Sequence, residues 1–411
     1  MASVLDVKSS MANTNRDSLA TADAYNRLLA DIQELAPVIT GRATEIEAGR
    51  RVPLDLVDRL RTIGIFRMFV PRSHGGMELD MPRGTQVIEI LSKIDSSIGW
   101  IAMIGSGSAV LAPLLPRDSY ESVYRHGPDV VFAGSAQPAG TAESVNGGWR
   151  VNGRWPFASG CQHADWLFGL CVMKKDGKPL PGPAEGVPML RACILPVGDW
   201  RIEDTWHVTG LKGTGSPHIV LEDALVPTES FVDVGEGKPC IPGALYYAFP
   251  QLIPLMHGAV HLGIAEGALN DLVEQANTGW QQQRATKPTK DSEIFQYELG
   301  RIAADLRAAK AFHNAQTLSH WQHAVAGTLK DAALLVEGSQ SGIWITAACS
   351  RVVEGSFALG GGVALYESSP LQRRSRDMHA AAQHAVVQQR HYLNAGAQLL
   401  RGALTTPIAG D

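Results

Sequence analysis

The chain has 411 residues, more than one compact core usually holds, so two or three structural units are expected. Its formal net charge of −5 argues against a nucleic-acid partner, which calls for a basic face. Five cysteines occur without a C-x-x-C pair, which argues against a structural zinc site and predicts reduced thiols in a cytoplasmic protein. The polar start and the lack of an 18-residue apolar run predict neither a secretory signal nor a membrane span.

The first part of the chain has the hydrophobic period of helices. After a flexible N-terminus over residues 1–18, apolar residues recur at three- and four-residue steps, at Leu28, Ile32, Leu35 and Ile39. Further helices are predicted over 82–94 and 98–114. We therefore assign residues 19–128 to an N-terminal helical domain.

The middle of the chain has a shorter period. Short apolar runs lie between clusters of Gly, Pro and Asp, which is typical of short antiparallel strands in a sandwich or barrel. Asn146-Gly147-Gly148 predicts a hairpin turn. The helical period then returns, so we assign 129–240 to a central β domain and 241–411 to a C-terminal helical bundle. Strands between two helical blocks argue against a parallel α/β fold.

Four segments carry motifs. They are residues 64–76 (GIFRMFVPRSHGG), 152–166 (NGRWPFASGCQHADW), 206–216 (WHVTGLKGTGS) and 360–384, which contains a glycine run, an arginine cluster and His384. Together they resemble the acyl-CoA dehydrogenase superfamily, and the second is similar to a segment of its monooxygenase branch. The resemblance implies an α+β, mostly α fold with an N-terminal helical domain, a central β-sandwich or barrel and a C-terminal four-helix bundle.

Dehydrogenases of this superfamily carry a catalytic glutamate at one of two positions, and neither holds a carboxylate here. The residue nine after Arg376 is Ala385, and the residue ten before Gly263 is Ile253. A substrate proton cannot be removed without a base within hydrogen-bond reach. The sequence therefore points away from acyl-CoA oxidation and toward the flavin-dependent monooxygenases that share the fold.

The resemblance implies a site where reduced flavin and O2 form a C4a-hydroperoxide. It gives His384 an acid/base role and places Ser159 near flavin N5, so these two are the predicted catalytic residues. The Ser159 hydroxyl can accept from N5–H and donate to the peroxide. The other predicted cofactor-binding residues are Trp155, Phe157, Thr214, Ser216, Gly361 and Arg376. The predicted substrate pocket contains Trp100, Ser108, His257 and Tyr246.

Two of the pocket residues bear on the chemistry. Ser108 stands where the family often has a second histidine, so phenolate activation by that histidine is missing. Its absence favours an electron-rich heteroaromatic such as an indole, or oxidation at nitrogen or sulfur. His257 and His261 are four residues apart and share a helix face, but no third metal ligand is evident. We therefore predict pocket lining for His257 and no metal.

The sequence predicts the oxygenase component of a two-component flavin-dependent monooxygenase acting on a small aromatic or heteroaromatic, indole- or phenol-like substrate. No nicotinamide-binding fingerprint is present, so a separate reductase is expected to supply reduced FMN or FAD. The resemblance also implies a homotetramer. The alternatives are an acyl-CoA dehydrogenase with a relocated base, a flavin-dependent N- or S-oxygenase, and an inactive flavin-fold binding protein.

Overall fold

A computed structural model of the chain describes residues 4–281, 283, 285–329 and 331–401, without the side chains of 4–20, 108 and 249. The α-helices run over Val4–Gly41 (α1), Ala43–Gly49 (α2), Leu54–Ile63 (α3), Met81–Ile94 (α4), Ser96–Gly107 (α5), Arg117–Val123 (α6), Phe249–Asn277 (α7), Glu293–Ala326 (α8), Ala332–Leu359 (α9), Pro370–Ala381 (α10) and Tyr392–Leu400 (α11). The strands are Phe132–Val145 (β1), Gly148–Trp155 (β2), Trp166–Lys175 (β3), Lys178–Pro179 (β4), Leu190–Pro196 (β5), Arg201–Glu203 (β6), His218–Val226 (β7) and Phe231–Val232 (β8).

The N-terminal helices bury the face that the sequence predicted. Leu28, Ile32, Leu35 and Ile39 of α1 are all buried. Helix α1 begins at Val4, within the stretch of residues 1–18 that was predicted to be flexible, and residues 1–3 of that stretch lie outside the described part of the chain. Residues 4–18 contain no Gly or Pro, the two strongest helix breakers. The predicted domain boundaries near 128 and 240 remain predictions.

The strands form one mixed sheet in the order β6-β7-β2-β1-β3-β5-β8, with β4 paired to β3. The hairpin predicted at Asn146-Gly147 is confirmed, since β1 and β2 pair antiparallel up to Val145 and Gly148. The prediction of antiparallel strands alone is wrong, because β1 and β3 are parallel, with Phe132 opposite Trp166. The segment after β2 passes the start of β1 and places β3 on the other side of β1, and a sequence period does not report such a step.

A buried tryptophan organises the interior of the sheet domain. Trp155 is fully buried, and its indole Nε1 donates to the Leu170 carbonyl at 2.7 Å. A Cβ added at Gly140, Gly153 or Gly169 would lie 2.0–2.6 Å from the Trp155 ring, so these glycines make room for it. Trp155, predicted to bind cofactor, is therefore a packing residue of the β domain.

The C-terminal helices pack against the N-terminal ones through α7, which contacts α4, α5, α8, α9 and α10. Arg374 of α10 is buried at this junction, with its Nε 3.1 Å from an Asp271 carboxylate oxygen. Its other guanidinium nitrogens donate to the carbonyls of Ser92 and Lys93 at the end of α4. Gly267 leaves room for this guanidinium, since an added Cβ would lie 2.5 Å from its Cζ.

Two stretches, Ser96–Leu114 and Pro250–Asn277, are long and apolar enough to cross a membrane by length and composition alone. Most of their residues are buried inside the protein. A core helix of a globular protein has the same composition, so they give little support for a membrane-spanning role.

Candidate active site

Three aromatic side chains from distant parts of the sequence meet at the junction of α5, α7 and the segment after α10. The rings of His257 and His384 have centroids 4.2 Å apart and an interplanar angle of 32°. Trp100 meets both rings edge-on, at 5.5 Å from His257 and 5.7 Å from His384. The structure thus brings the predicted catalytic histidine together with two predicted pocket residues.

The hydrogen bonds of the two histidines fix different tautomers. His257 Nδ1 lies 2.9 Å from the Ile253 carbonyl, so Nδ1 carries the proton in the neutral ring and Nε2 has a free lone pair. His384 Nδ1 accepts from the Val386 backbone N–H at 3.4 Å, which leaves its proton on Nε2.

Both rings are neutral near pH 7. Burial, followed by the neighbouring His384, lowers the pKa of His257 well below its ordinary value. Burial, with a smaller contribution from His261, lowers the pKa of His384 to about 4. A proton donor and a proton acceptor therefore lie side by side without either ring being charged.

A chain of buried hydroxyl groups starts at Trp100. Its indole Nε1 donates to Ser159 Oγ at 3.0 Å, and Ser159 Oγ lies 2.7 Å from Ser216 Oγ. Ser216 Oγ lies 2.6 Å from Thr214 Oγ1, which in turn donates to the Leu211 carbonyl at 2.8 Å. The three predicted hydroxyl residues therefore form one connected network with a predicted pocket residue.

The Leu211 carbonyl sets the direction of every proton in this chain, because a carbonyl can only accept. The Thr214 proton goes to Leu211, so Ser216 must donate to Thr214, and Ser159 must donate to Ser216. Ser159 also accepts from Trp100, which leaves one lone pair free. Ser159 can therefore accept from flavin N5–H as predicted, but its proton is committed and the predicted donation to a flavin peroxide does not fit this network.

The loop that carries Thr214 and Ser216 is held by α10. The Asp377 carboxylate accepts from the Leu211 backbone N–H at 2.6 Å, and the Arg376 guanidinium donates to the Thr209 carbonyl at 2.6 Å. Leu211 has a positive φ of 51°, which few non-glycine residues adopt. Burial raises the pKa of Asp377 to about 6. Asp377 was missed by the sequence reasoning, although it directly follows the predicted Arg376.

The guanidinium of Arg376 is already engaged within its own chain. It pairs with Glu47 of α2, and its Nε donates to the Gln372 side chain at 2.7 Å. These contacts, with the bond to Thr209, make Arg376 a residue that joins α10 to α2 and the 206–216 loop. These partners occupy the Arg376 guanidinium within its own subunit.

The remaining predicted residues lie in different places. Phe157 is 57% exposed, has a positive φ of 62° and meets the Trp206 ring edge-on at 6.3 Å. Tyr246, which was predicted to line the substrate pocket, is buried with its hydroxyl donating to the Phe69 carbonyl. It is not in contact with the rings of Trp100, His257 and His384. Gly361 begins a 3-10 turn that packs on α9 and α10. Ser108 lies in the turn after α5, and its side chain is outside the described part of the structure.

A cavity of about 340 Å³ lies on another side of the Thr214–Ser216 loop, where Arg50, Arg51, Trp206 and Gly215 are among its lining residues. None of the residues that line it belongs to the ring cluster. The candidate chemistry therefore rests on the rings and the hydroxyl chain rather than on this cavity.

The hydroxyl chain fits a reduced flavin. N5 carries a hydrogen in the reduced isoalloxazine and only a lone pair in the oxidised one, and the free lone pair of Ser159 matches the former. The exposed Phe157, two residues before Ser159, gives an apolar surface against which a flat ring can lie. Described residues also form no cluster of three or more metal-ligating side chains.

Comparison with known proteins supports the same class. The family models of the acyl-CoA dehydrogenase N-terminal and C-terminal domains match residues 30–116 and 255–389. Indole-3-acetate monooxygenase of Pseudomonas putida is 32% identical, over 92% of this chain and 94% of its own length. The oxygenase component of an FADH2-dependent resorcinol hydroxylase from a Rhizobium species is 32% identical, over 89% and 91% of the two chains.

A solved structure agrees with the sequence comparisons. XiaF from a Streptomyces species, in complex with FADH2 and glycerol, superposes with a TM-score of 0.84 at 26% identity, covering 95% of this chain and 98% of the other. The chain belongs to the flavin-dependent monooxygenases of the acyl-CoA dehydrogenase superfamily. The predicted fold and family are confirmed.

Proposed function

We propose that the protein is the oxygenase component of a two-component monooxygenase that inserts one oxygen atom of O2 into a small aromatic or heteroaromatic substrate. The observation that carries the proposal is the hydroxyl chain, whose proton order leaves Ser159 an acceptor beside the Trp100–His257–His384 rings. Reduced flavin supplies the electrons that activate O2. The residues of the chain bind, orient and shield it.

Each residue of the site has a distinct task in this proposal. Ser159 holds the N5–H edge of the reduced ring, and Ser216 and Thr214 keep Ser159 oriented. His384 presents Nε2–H as a neutral donor, since its pKa is about 4. Trp100 fixes Ser159 through its N–H and covers both imidazoles with its ring edge. The burial of Trp100, His257 and Ser159 keeps water away from the reacting groups.

The names of the relatives support a proposal for the substrate and the partner. Those named above act on indole-3-acetate and resorcinol, which supports an indole- or phenol-like substrate here. The term "oxygenase component" supports a separate reductase that delivers reduced FMN or FAD. We further propose a homotetramer in the cytoplasm. In that assembly we propose that Arg376 and Gly361 contact a flavin across a subunit boundary.

The test is to mix the purified protein anaerobically with reduced FMN or FAD and then pulse it with oxygen in a stopped-flow spectrometer. We expect bound flavin to return to its oxidised absorbance much more slowly than free flavin, and His384→Ala or Ser159→Ala to shorten this delay. Reoxidation at the rate of free flavin, together with reduction of a tightly bound flavin by acyl-CoA, would return the protein to the dehydrogenases. Slow reoxidation with no oxygenated product would instead support an inactive binding protein.

A further inference from the structure

One nitrogen of the site has no role in the scheme above. His257 Nε2 is buried and has no hydrogen-bond partner within the described residues. The His257 side chain as a whole is 3% exposed. Buried polar atoms nearly always have partners, and an exception calls for an explanation.

The chemistry of this nitrogen is defined by the rest of the ring. Nδ1–H is used by the Ile253 carbonyl, so Nε2 offers a lone pair and no proton. The titratable groups that act on the ring are His384 and His261, and both lower the tendency of His257 to take a charge. His257 therefore stays a neutral acceptor, next to the neutral donor Nε2–H of His384.

We propose that His257 Nε2 accepts the N–H or O–H hydrogen of the aromatic substrate and so selects for substrates that carry one. The inference rests on the proposed function and deepens it by naming a specificity-determining residue. The partner it fits is an indole, a phenol or a related ring with a donor on its edge. His257 lies on α7, so it supplies from a different helix the imidazole acceptor that the sequence lacks at Ser108.

Such a contact also orients the ring. With its donor held at His257, the substrate lies against the tilted imidazole pair and Trp100. A substrate whose donor is blocked leaves His257 Nε2 without a hydrogen bond in a site that excludes water. The loss of a buried hydrogen bond separates the affinities of two substrates more strongly than the loss of an apolar contact does.

The experiment compares probes whose donor hydrogen is either present or replaced by a methyl group. Binding of indole-3-acetate and of 1-methylindole-3-acetate is measured by calorimetry on the full-length protein with reduced flavin under anaerobic conditions. Resorcinol and 1,3-dimethoxybenzene form a second pair. In at least one pair we expect the donor-bearing probe to bind about fivefold or more tightly than the methylated one, as one hydrogen bond predicts.

Variants separate hydrogen bonding from size. His257→Leu and His257→Gln have similar volumes, but only glutamine has a polar acceptor. We expect the preference to vanish in His257→Leu and to return in part in His257→Gln. His261→Asn is the matched control, because it alters a buried histidine one turn along α7 and leaves Nε2 of His257 in place.

Three outcomes overturn the inference: no preference in either pair in the unaltered protein, an undiminished preference in His257→Leu, and no binding of any probe. The oxygen-pulse assay of the unaltered protein keeps the proposed function separate, because it is run without substrate and so does not depend on a hydrogen bond from a substrate donor to His257. If flavin bound to the unaltered protein reoxidises as fast as free flavin, the proposed function is wrong. The probe comparison still shows whether His257 accepts a hydrogen bond from a ligand. Circular dichroism confirms that each variant is folded.

Discussion

Replacement of Ser216 by alanine should change which redox state of flavin the protein prefers. Ser216 is the acceptor to which Ser159 commits its only hydroxyl proton, across an Oγ–Oγ distance of 2.7 Å. In Ser216→Ala that proton is released, and Ser159 can donate to the bare N5 of oxidised flavin. The variant keeps the Trp100 bond to Ser159 and the Thr214 bond to Leu211, so it leaves no buried N–H without a partner.

The size of the effect follows from one hydrogen bond. In the unaltered protein only reduced flavin pairs with Ser159, and the preference for reduced over oxidised flavin includes that bond. A neutral hydrogen bond contributes about 1 kcal/mol, so the ratio of the two dissociation constants should fall about fivefold in Ser216→Ala. Most of the change should come from tighter binding of oxidised flavin.

The assay is a pair of equilibrium titrations, with oxidised flavin in air and with reduced flavin under anaerobic conditions. Ser106→Ala is the matched control, because Ser106 is a buried residue of α5 whose hydroxyl donates to the Ala102 carbonyl of its own helix. A ratio that stays within twofold of the unaltered protein in Ser216→Ala would falsify the proton order deduced from Leu211. A change in Ser106→Ala of equal size would show that packing, rather than proton direction, is responsible.

Three further predictions concern single residues. His384→Ala should lower product formation about 100-fold or more, the lower range for acid/base catalysis, and because the pKa of His384 is about 4 its titration should leave no step between pH 6 and 8 in the unaltered enzyme. His261 is fully buried, and its pKa in the folded protein is about 4. As the pH falls from 6.5 to 4, the unfolded chain therefore takes up a proton at His261 that the folded protein does not, and the folded state loses stability over that range. Between pH 6.5 and pH 4, the free energy of unfolding measured with urea should fall by about 3 kcal/mol less in His261→Asn than in the unaltered protein. An unchanged slope of stability against pH would contradict the low pKa of His261. Arg374→Ala should lower the free energy of unfolding by about 3–5 kcal/mol, because it leaves the Asp271 carboxylate and two carbonyls of α4 without their hydrogen-bond donor. A loss below about 1 kcal/mol would show that Arg374 does not hold α10 to α4 and α7.

Local features of the fold could be predicted because they depend on neighbours in sequence. Helix α4 was expected over 82–94 and runs over Met81–Ile94, because the hydrophobic period of a helix is a local signal. The hairpin at Asn146-Gly147 was predicted for the same reason. The parallel pairing of β1 with β3 depends on how a connection crosses the sheet, which no local pattern encodes.

The site was predicted in part. Motifs placed Ser159, Thr214, Ser216 and His384 in the same region, and the structure connects the hydroxyl groups directly. The proton order could not be predicted, because it depends on a backbone carbonyl, that of Leu211, whose position is set by tertiary folding. Trp155 lies within the same motif as Ser159 and is fully buried in the β domain, and its predicted role in cofactor binding stays a prediction.

The attachment of the 206–216 loop to α10 has a consequence for how the protein folds. Asp377 and Arg376 hold this loop at Leu211 and Thr209, although more than 160 residues separate them in sequence. Loop closure over such a separation is slow and is completed late in folding. We therefore expect the Leu211 end of the hydroxyl chain to reach its final position after α10 has docked, and a nascent chain that has not yet released α10 to bind flavin more weakly than the complete protein.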